Sequence, residues 1–322
     1  MPWPLTIRKR GQPSEAEDRK PFTRVPLWLR ALAALPLPVW YRISGLLAWL
    51  AEYVFRHRRG IVDSQLRRCF PDKDEAWIGE TRRSFYRNCG NVICEILKEV
   101  SITENEIRRR VRFANVDAAR AELDAGRSVL LVTSHNCNWE WTLLALSIGM
   151  GHPVDVAYKP LKNHWGDRLF LTIRIRFGAR MVSAGRLLRR VLRHRGEARI
   201  VAIAADQNPD ASSVRHVTQF FDQDTAFYLG PDAIARAARL SVYYMAMRRE
   251  SRGYYSVTFE PLAAAGENLA RGEIIDRYAR RVEALTREHP EDWLWTYRRW
   301  KMHGAPAKGD QVASLDESSG AG

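Results

Sequence analysis

His135 and Glu140 are the two side chains in this chain best suited to acid–base chemistry. They follow an apolar run at 128–133, and a run of that length predicts a buried strand, with a helix over 139–150 after it. The histidine is then at the carboxyl end of a strand, where α/β proteins place their chemistry. With Glu140 in the first helical turn, we expect its carboxylate to fold back onto the imidazole. Such a pair makes a base that removes a proton from a hydroxyl.

A simpler interpretation stays open, because one histidine and one acid at this spacing are a weak signal. His135 would then be a buried strand-end residue and Glu140 an unrelated acid at a helix start. Cys137, between them, could be a nucleophile paired with His135, but a small residue in a turn is the better-supported interpretation, since nothing else indicates thiol chemistry. The four cysteines show no metal-ligand spacing and are expected to be reduced thiols of the cytoplasm.

From residue 128 onwards the chain alternates between strand and helix patterns. Strands are predicted at 129–133, 154–158, 200–204 and 242–247, with helices over 139–150, 165–177, 185–194 and 232–240. This alternation predicts an α/β fold with a mostly parallel central sheet flanked by helices. A further strand at 254–259 is expected at the sheet edge, paired across the Arg252–Gly253 turn, and 273–288 reads as an amphipathic helix that ends before Pro290.

Polar residues follow three of the four main strands. His135 follows the first, Tyr158 and Lys159 follow the second, and Asp206 with Gln207 follows the third. The carboxyl ends of parallel strands meet at one edge of a sheet, so these side chains are expected to come together. The helix over 165–177 adds arginines at 168, 174 and 176, of which at least one is expected to be a solvated surface residue.

The charge and the aromatic content favour a membrane surface as partner. The 322 residues include 51 Lys and Arg against 37 Asp and Glu, which gives a net charge of +14. A surface of this kind attracts polyanions such as nucleic acid, anionic membranes or acidic proteins. The eleven tryptophans favour a membrane, because tryptophan is enriched where lipid meets water.

The first long apolar stretch, 25–55, is predicted to be a membrane anchor. Its core at 40–55 carries Arg42 and Glu52 and is shorter than the roughly 20 apolar residues of a spanning helix, so an interfacial or marginally spanning segment is expected. An ordinary buried helix is the alternative. The predicted organisation is a disordered 1–22, a helical membrane-anchor region at 23–60, an α/β domain at 61–303, and a disordered tail at 304–322.

Several blocks in order carry a resemblance to a known family. They are His135-x4-Glu140, Tyr158-Lys159-Pro160-x2-Asn163-x3-Asp167, Asp206-Gln207, and His289-Pro290-Glu291-Asp292-Trp293-Leu294-Trp295 with Arg298-Arg299-Trp300-Lys301 after it. Over about residues 24 to 302 the chain resembles the bacterial lipid A biosynthesis (lauroyl and myristoyl) acyltransferases, members of the lysophospholipid acyltransferase superfamily.

The resemblance implies a glycerol-3-phosphate acyltransferase-like fold and a defined reaction. A fatty acyl group would pass from a thioester, on acyl carrier protein or coenzyme A, to a hydroxyl of a lipid A precursor on the cytoplasmic side of the bacterial inner membrane. His135 would be the general base with Glu140 as its partner, and Arg174 and Asp206 further catalytic residues. Lys159, Asn163 and Arg176 would contact phosphate groups of the substrates. No cofactor, metal or nucleic acid is implied.

Departures from the family pattern leave the acceptor open. Residues 208–213, which begin Asn208-Pro209, stand where many family members have a Gly-containing stretch. Phe220-Phe221-Asp222 stands where they have a Phe-Phe-Gly turn. Another membrane lipid, such as a lysophospholipid, an aminolipid or a glycolipid, is therefore an alternative acceptor. A non-catalytic basic protein that binds membranes or nucleic acid is an alternative of a different class, although no nucleic-acid motif is present.

Overall fold

The computed structural model describes residues 20–209 and 213–300. The segments predicted to be disordered, 1–22 and 304–322, therefore lie outside the described residues except for Lys20, Pro21 and Phe22. The described chain forms a mixed α/β fold around one seven-stranded sheet, with a separate two-stranded hairpin.

The seven strands lie in the order β1-β9-β8-β2-β5-β3-β4. Five of them, from β8 to β4, run parallel to one another, and β9 and β1 run the opposite way. The hairpin is formed by β6 and β7. The strand bounds are Val111–Phe113 (β1), Val129–Thr133 (β2), Val154–Tyr158 (β3), Arg180–Ser183 (β4), Ile200–Ala204 (β5), Arg215–Gln219 (β6), Asp224–Tyr228 (β7), Ser241–Ser251 (β8) and Tyr254–Ala263 (β9).

The mostly parallel sheet confirms the predicted fold class at that level. The strands predicted at 129–133, 154–158 and 200–204 are β2, β3 and β5 with the same bounds. The strand at 254–259 pairs with β8 across the expected turn, but it is not the edge strand, because β1 pairs along its other side. β1 is only three residues long, so its sequence shows no strand pattern.

Eleven α-helices surround the sheet within the described residues. Their bounds are Leu27–Ala34 (α1), Leu37–Trp49 (α2), Arg59–Cys69 (α3), Glu75–Lys98 (α4), Glu104–Arg110 (α5), Asp117–Asp124 (α6), Trp139–Gly149 (α7), His164–Arg174 (α8), Ala184–Arg193 (α9), Gly230–Ala238 (α10) and Glu273–Glu288 (α11). A π-helical turn at Leu50–Val54 continues α2, and a short 3-10 turn at Pro290–Asp292 follows α11.

Both faces of the sheet are buried, as a parallel sheet requires. Side chains alternate along β2: Leu130 and Val132 pack into one core with α9, α10 and α11, whereas Val129 and Leu131 pack into another with α5, α6 and α7. The four apolar side chains of β2 are fully buried, which explains why its sequence is a continuous apolar run.

The predicted anchor region forms two helices and a π-turn, residues 27–54, which we call the apolar arm. No single helix of the described chain is long and apolar enough to cross a membrane. Taken together, α1 and the segment formed by α2 and the π-turn are long and apolar enough, but the two are bent by 102° relative to each other. One face of the arm is buried: Trp40 and Ala48 are enclosed, and Gly90 of α4 lets the backbone of Ser44 approach closely. The other face exposes apolar side chains. The arm therefore combines the buried helix and the surface segment that the sequence left as alternatives.

Candidate active site

Strand register brings His135 and Asp206 together. In the parallel pair of β2 and β5, Thr133 lies beside Ala204, so the residues two positions beyond each strand also lie side by side. His135 Nδ1 is 2.6 Å from Asp206 Oδ1, and the backbone N–H of His135 donates to Asp206 Oδ2 at 2.9 Å. A third donor, Trp293 Nε1, reaches Oδ2 at 3.0 Å. The carboxylate is buried, with a side chain only 3% exposed.

This geometry selects the tautomer of the imidazole. A carboxylate on Nδ1 accepts the Nδ1 proton, so Nε2 carries the lone pair. Burial lowers the pKa of His135, but the charge and hydrogen bond of Asp206 outweigh it and the pKa is raised. Burial raises the pKa of Asp206, and the contacts from His135 and Trp293 outweigh that effect, so its pKa is lowered. The pair is thus an ionised carboxylate beside an imidazole whose Nε2 carries the lone pair.

Glu140 has a different partner from the one expected. Its carboxylate accepts two hydrogen bonds from Arg174, from Nε at 2.8 Å and from Nη2 at 2.5 Å, and a third from Trp139 Nε1 at 3.0 Å. The expected hydrogen bond from the imidazole to Glu140 is therefore replaced by the one to Asp206. The physical reason is that α8 brings the guanidinium of Arg174 against the start of α7, and a bidentate arginine satisfies both oxygens of the acid.

The Glu140–Arg174 pair still belongs to the site. Both side chains line the same groove as His135, and the charge of Glu140 helps to raise the pKa of His135. Burial lowers the pKa of Arg174, but Glu140 outweighs it, so the arginine remains a partly buried cation, with a side chain 20% exposed. The structure thus brings His135, Glu140, Arg174 and Asp206 together. Asp206 binds the imidazole, as was expected of Glu140, and Glu140 binds Arg174.

The turn between β2 and α7 is held from below by α4. Asn138 caps α7 by accepting from the backbone N–H of Trp141 at 3.0 Å, and its amide donates to Glu95 Oε2 at 2.8 Å. The buried carboxyl of Glu95 also accepts from the hydroxyls of Tyr41 and Tyr255 at 2.9 and 2.6 Å. Burial raises the pKa of Glu95, although these hydrogen bonds and the charge of Arg249 oppose it. This network fixes the turn that carries His135.

Cys137 lies in the turn as a structural residue. Its φ is 51°, its backbone N–H donates to the carbonyl of Asp292 at 2.9 Å, and its thiol donates to the carbonyl of Met247 at 3.5 Å. Burial raises the pKa of the thiol well above its usual range. A buried, protonated thiol is a poor nucleophile, which supports the turn interpretation of this residue.

The three residues expected to contact phosphate are found in different surroundings. Lys159 lines the groove that contains Arg174. Asn163 caps α8, since its side-chain oxygen accepts from the backbone N–H groups of Trp165 and Gly166. Arg176 donates to the carbonyls of Glu99 and Ile102, the latter at 3.0 Å, and so ties α8 to the end of α4. Within the described residues, Lys159 alone of the three lines a groove that reaches His135.

Two grooves meet at His135 and Trp139. The first, the arm groove, has an open volume of about 960 Å³ and runs between the arm and α4; its apolar lining includes Leu47, Ala48, Phe85, Val92, Ile93 and Trp293. The second, the sheet groove, has an open volume of about 1010 Å³ and lies against β2, β3 and β5. Apolar side chains line its inner part (Leu143, Leu146, Val156, Met181 and Met245), and polar ones lie at Lys159, Arg174 and Gln207. A site with two approaches to one imidazole suits a reaction with two substrates.

Comparison with known proteins gives the family. The model for the bacterial lipid A biosynthesis acyltransferases matches residues 25–302. The chain belongs to this acyltransferase family. It is similar to a lipid A biosynthesis lauroyltransferase of Escherichia coli K12, with 26% identity over 290 residues, 88% of this chain and 92% of that protein. It is also similar to a lipid A biosynthesis acyltransferase of Haemophilus influenzae, with 22% identity over 279 residues, 83% of each chain.

The candidate site also contains residues to which the sequence analysis gave no role. Gln207 Nε2 lies 3.3 Å from His135 Nε2, Trp293 holds Asp206, and Trp139 stands between the grooves. His135 and Asp206 each come two residues after the end of a predicted strand, and this equal spacing could have predicted that they pair. Nothing in the sequence order placed Trp293, because it arrives from a segment 87 residues beyond Asp206. Among the described residues, no group of three or more His, Cys, Asp or Glu side chains is placed to hold a metal ion.

Proposed function

We propose that this acyltransferase moves a fatty acyl group from a carrier-bound thioester to a hydroxyl of a lipid A precursor, with His135 as the general base. The observation that carries the proposal is the His135–Asp206 contact at 2.6 Å, which leaves Nε2 as the lone-pair nitrogen at the junction of two grooves. The names of both similar proteins support lipid A biosynthesis as the setting.

The reaction follows from the position of Nε2. The acceptor hydroxyl gives its proton to Nε2 while its oxygen bonds to the thioester carbonyl carbon, which forms a tetrahedral oxyanion. The carbon–sulfur bond then breaks, and the departing thiolate takes the proton from the imidazolium. Asp206 is a positioning residue that stabilises the imidazolium and does not take the proton itself. A base of this kind contributes about 10²–10⁴-fold to the rate.

The oxyanion needs a positive or hydrogen-bonding group nearby. Arg174 fits this role, since it is a partly buried cation that lines the sheet groove and is held by two hydrogen bonds to Glu140. The first backbone N–H groups of α7 are a second source, because they point towards the turn that carries His135. One such donor contributes about 2.7–4 kcal/mol of transition-state stabilisation. In this account Glu140 positions Arg174 and does not touch the imidazole.

The lining of the grooves supports an assignment of the two substrates. The sheet groove, with an apolar interior and Lys159 and Arg174 among its polar residues, suits an acyl chain with a thioester and a phosphopantetheine phosphate outside it. The arm groove is almost wholly apolar and is flanked by the exposed side chains of Leu47 and Ile93, so it suits a hydrocarbon chain of a membrane lipid. Acyl carrier protein or coenzyme A would be the donor, and no cofactor is needed because the thioester drives the transfer.

The cytoplasmic side of the bacterial inner membrane is the proposed location. It is supported by the net charge of +14, by the exposed apolar face of the arm, and by an acceptor that is a membrane lipid. Another lipid acceptor is the second candidate, favoured by the departures at 208–213 and at Phe220-Phe221-Asp222. Residues 210–212 lie outside the described part of the chain, whereas Asp222 keeps a left-handed backbone, with φ at 55°, where the family turn has glycine.

A transfer assay with product masses tests the proposal. Purified protein is incubated with acyl carrier protein charged with a fatty acid and with a membrane lipid extract that contains lipid A precursor. We expect one acyl mass to be added to the precursor. Addition to a different lipid would replace the acceptor but keep the reaction, and absence of any acylated product with both carrier and coenzyme A thioesters would contradict the proposal.

A further inference from the structure

A concave basic surface, the arginine bay, lies where the apolar arm ends. It has an open volume of about 1380 Å³ and is lined by five arginines (Arg56, Arg58, Arg59, Arg68 and Arg298) together with Gly60, Ile61, Ser64, Gln65 and Trp300. No carboxylate is among these lining residues. Five guanidinium groups around one concavity create a strongly positive potential that favours an anion.

The carboxylates of Asp63 and Glu52, on the elements beside the bay, are both bound by Arg82. Asp63 accepts from Arg82 Nη1 at 2.8 Å, and Arg59 Nε lies 3.9 Å from its other oxygen. Glu52 accepts from Arg82 Nε at 3.0 Å, on the buried side of the arm. The positive charge of the bay therefore exceeds the nearby negative charge among the described residues. The N-terminus of α3 opens into the bay at Gly60 and Ile61 and adds to the potential.

Side-chain contacts fix the residues that line the bay. Arg58 has a left-handed backbone with φ at 57° and donates from Nη1 to the carbonyl of Thr296 at 2.9 Å. The guanidinium of Arg68 lies over the ring of Trp300, 5.9 Å from its centroid. Gln65 donates to the carbonyls of Trp295 and Tyr297, which joins α3 to the carboxyl-terminal segment. These contacts hold two separate parts of the chain around the cavity.

The surroundings of the bay match those of a bilayer surface. The four residues Trp49, Tyr53, Val54 and Phe55 expose apolar side chains just before Arg56, and Phe55 is 73% exposed. Along the chain, exposed apolar residues are therefore followed by arginines. A segment at a bilayer surface has the same sequence of groups, with apolar side chains towards the hydrocarbon and cations at the phosphate layer. An acidic protein partner would explain the arginines but not the exposed apolar face beside them.

The bay also adjoins the arm groove. His57, between Arg56 and Arg58, lines that groove, and so does Thr296, the hydrogen-bond partner of Arg58. His135 lines the same groove. One lipid could therefore place its headgroup at the bay and a chain along the groove. Arginine suits phosphate in particular, because its planar group binds two phosphate oxygens at once.

We propose that the arginine bay binds a phosphate of a membrane-lipid headgroup. We further propose that the lipid bound there is the acceptor of the acyl group, which rests on the proposed function.

Vesicle binding tests the bay without any catalysis. The double variant Arg56→Gln/Arg298→Gln is compared with Arg109→Gln/Arg193→Gln, which removes the same charge from exposed arginines on α5 and α9. Vesicles of phosphatidylcholine alone and of phosphatidylcholine with phosphatidic acid are the probes. We expect the bay variant to lose about tenfold or more of its affinity for the phosphatidic acid vesicles, and the control to lose much less. Thermal unfolding of both variants checks that they are folded.

Kinetics test the second statement. In the transfer assay, the bay variant should raise the KM for the acceptor lipid about tenfold and leave kcat and the KM for the acyl carrier nearly unchanged. Phosphatase treatment of the acceptor should raise the KM of the unmodified protein by a similar factor and that of the bay variant no further.

Several results would overturn the inference. Equal binding of phosphatidic acid vesicles by the bay and control variants would remove the phosphate site. Binding of inorganic phosphate alone as tightly as the vesicles would assign the bay to a free anion, and a raised KM for the acyl carrier in place of the acceptor would assign it to the donor. If no transfer is found, the vesicle comparison still decides on the bay; if transfer is found but the vesicle comparison fails, the bay alone is wrong.

Discussion

The charge of Asp206 governs the acid–base behaviour of His135. The two groups share a hydrogen bond of 2.6 Å in a buried setting, where a negative charge stabilises an imidazolium strongly. A raised pKa keeps the imidazole protonated to a higher pH, and a general base works only when it is neutral. The acid limb of the rate profile therefore reports on this contact.

Asp206→Asn should move that limb to lower pH. Removing the carboxylate charge takes away the interaction that raises the pKa of His135, so the neutral imidazole persists to lower pH while the overall rate falls. The measurement is kcat/KM for acyl transfer across the acidic range. Glu140→Gln should give a smaller shift in the same direction, because its charge contributes less to the pKa of His135. A larger shift in Glu140→Gln than in Asp206→Asn would contradict the pairing.

Cys137→Ser should retain most of the activity. The thiol is buried and protonated and donates a weak hydrogen bond to the backbone carbonyl of Met247 at 3.5 Å, a bond that a hydroxyl can also make. Steady-state transfer rates and a search by intact mass for an acyl-protein provide the check. Loss of transfer in a folded variant, together with an acylated protein in the unmodified chain, would instead support an acyl-cysteine route.

At the residue scale the sequence predicted which side chains lie together better than it predicted their contacts. His135, Asp206, Glu140 and Arg174 were assigned to one site, and all four lie together; their catalytic roles stay a prediction. The partner of the imidazole was wrong because two acids compete for it. Sequence spacing favours Glu140, five positions away, whereas strand register places Asp206 closer and a guanidinium 34 residues away takes Glu140. Contacts between residues so far apart in the chain cannot be predicted from the spacing of neighbouring residues.

At the element scale, the turn between β2 and α7 is the part that the fold must hold still. Asn138 is the link, since it caps α7 with its oxygen and donates to Glu95 on α4 with its amide. The other side-chain caps of the described helices, those of Asp74, Thr103 and Asn163, lie at exposed positions. Asp74, for example, caps α4 by accepting from the backbone N–H of Trp77 at 2.8 Å, at an exposed position.

Asn138→Ala should reduce both stability and kcat, whereas Asp74→Ala should reduce stability alone. Each loses a cap worth about 1 kcal/mol of the free energy of unfolding. Asn138→Ala also removes one hydrogen-bond donor from the buried carboxyl of Glu95 and frees the turn that carries His135. Denaturant unfolding and single-turnover transfer are the two measurements. Unchanged kcat in Asn138→Ala would show that the turn does not depend on this link.

The buried apolar strands were predictable, and the partly buried strands were not. β2 and β5 are apolar and buried along almost their whole length, so each is a continuous apolar run that ends where the strand ends, and the run of β3 is broken only by Asp155. β1, β4 and the β6–β7 hairpin are three to five residues long and only partly buried. Their position depends on partners far along the chain, which local patterns do not reveal.

At the scale of the whole molecule, we propose that the apolar arm joins the fold to a lipid surface. Its inner face is tied to α4 by a hydrogen bond from Ser44 to Asn91 at 2.7 Å and by the Glu52–Arg82 ion pair. Deleting the arm would therefore expose the core of the fold, and surface substitutions are the sharper test. The apolar outer face of the arm and the arginine bay beside it form one continuous region.

Val54→Ser/Phe55→Ser should weaken binding to vesicles of neutral phosphatidylcholine by at least about tenfold. Each apolar side chain that enters lipid contributes about 1.5–3 kcal/mol, and about 1.4 kcal/mol corresponds to a factor of ten. Val214→Ser/Val217→Ser is the matched control, since these valines at the start of the hairpin are also about half exposed. Sedimentation with vesicles gives both affinities. Equal loss in the two variants would contradict a membrane-facing arm.

The most direct test of the account is the single-turnover rate of acyl transfer in His135→Ala at saturating donor and acceptor. If Nε2 of this imidazole takes the proton of the acceptor hydroxyl, the rate should fall by about 10²–10⁴-fold while the folded variant still binds both substrates. A His135→Ala protein that transfers acyl groups at the rate of the unmodified chain would show that another group is the base.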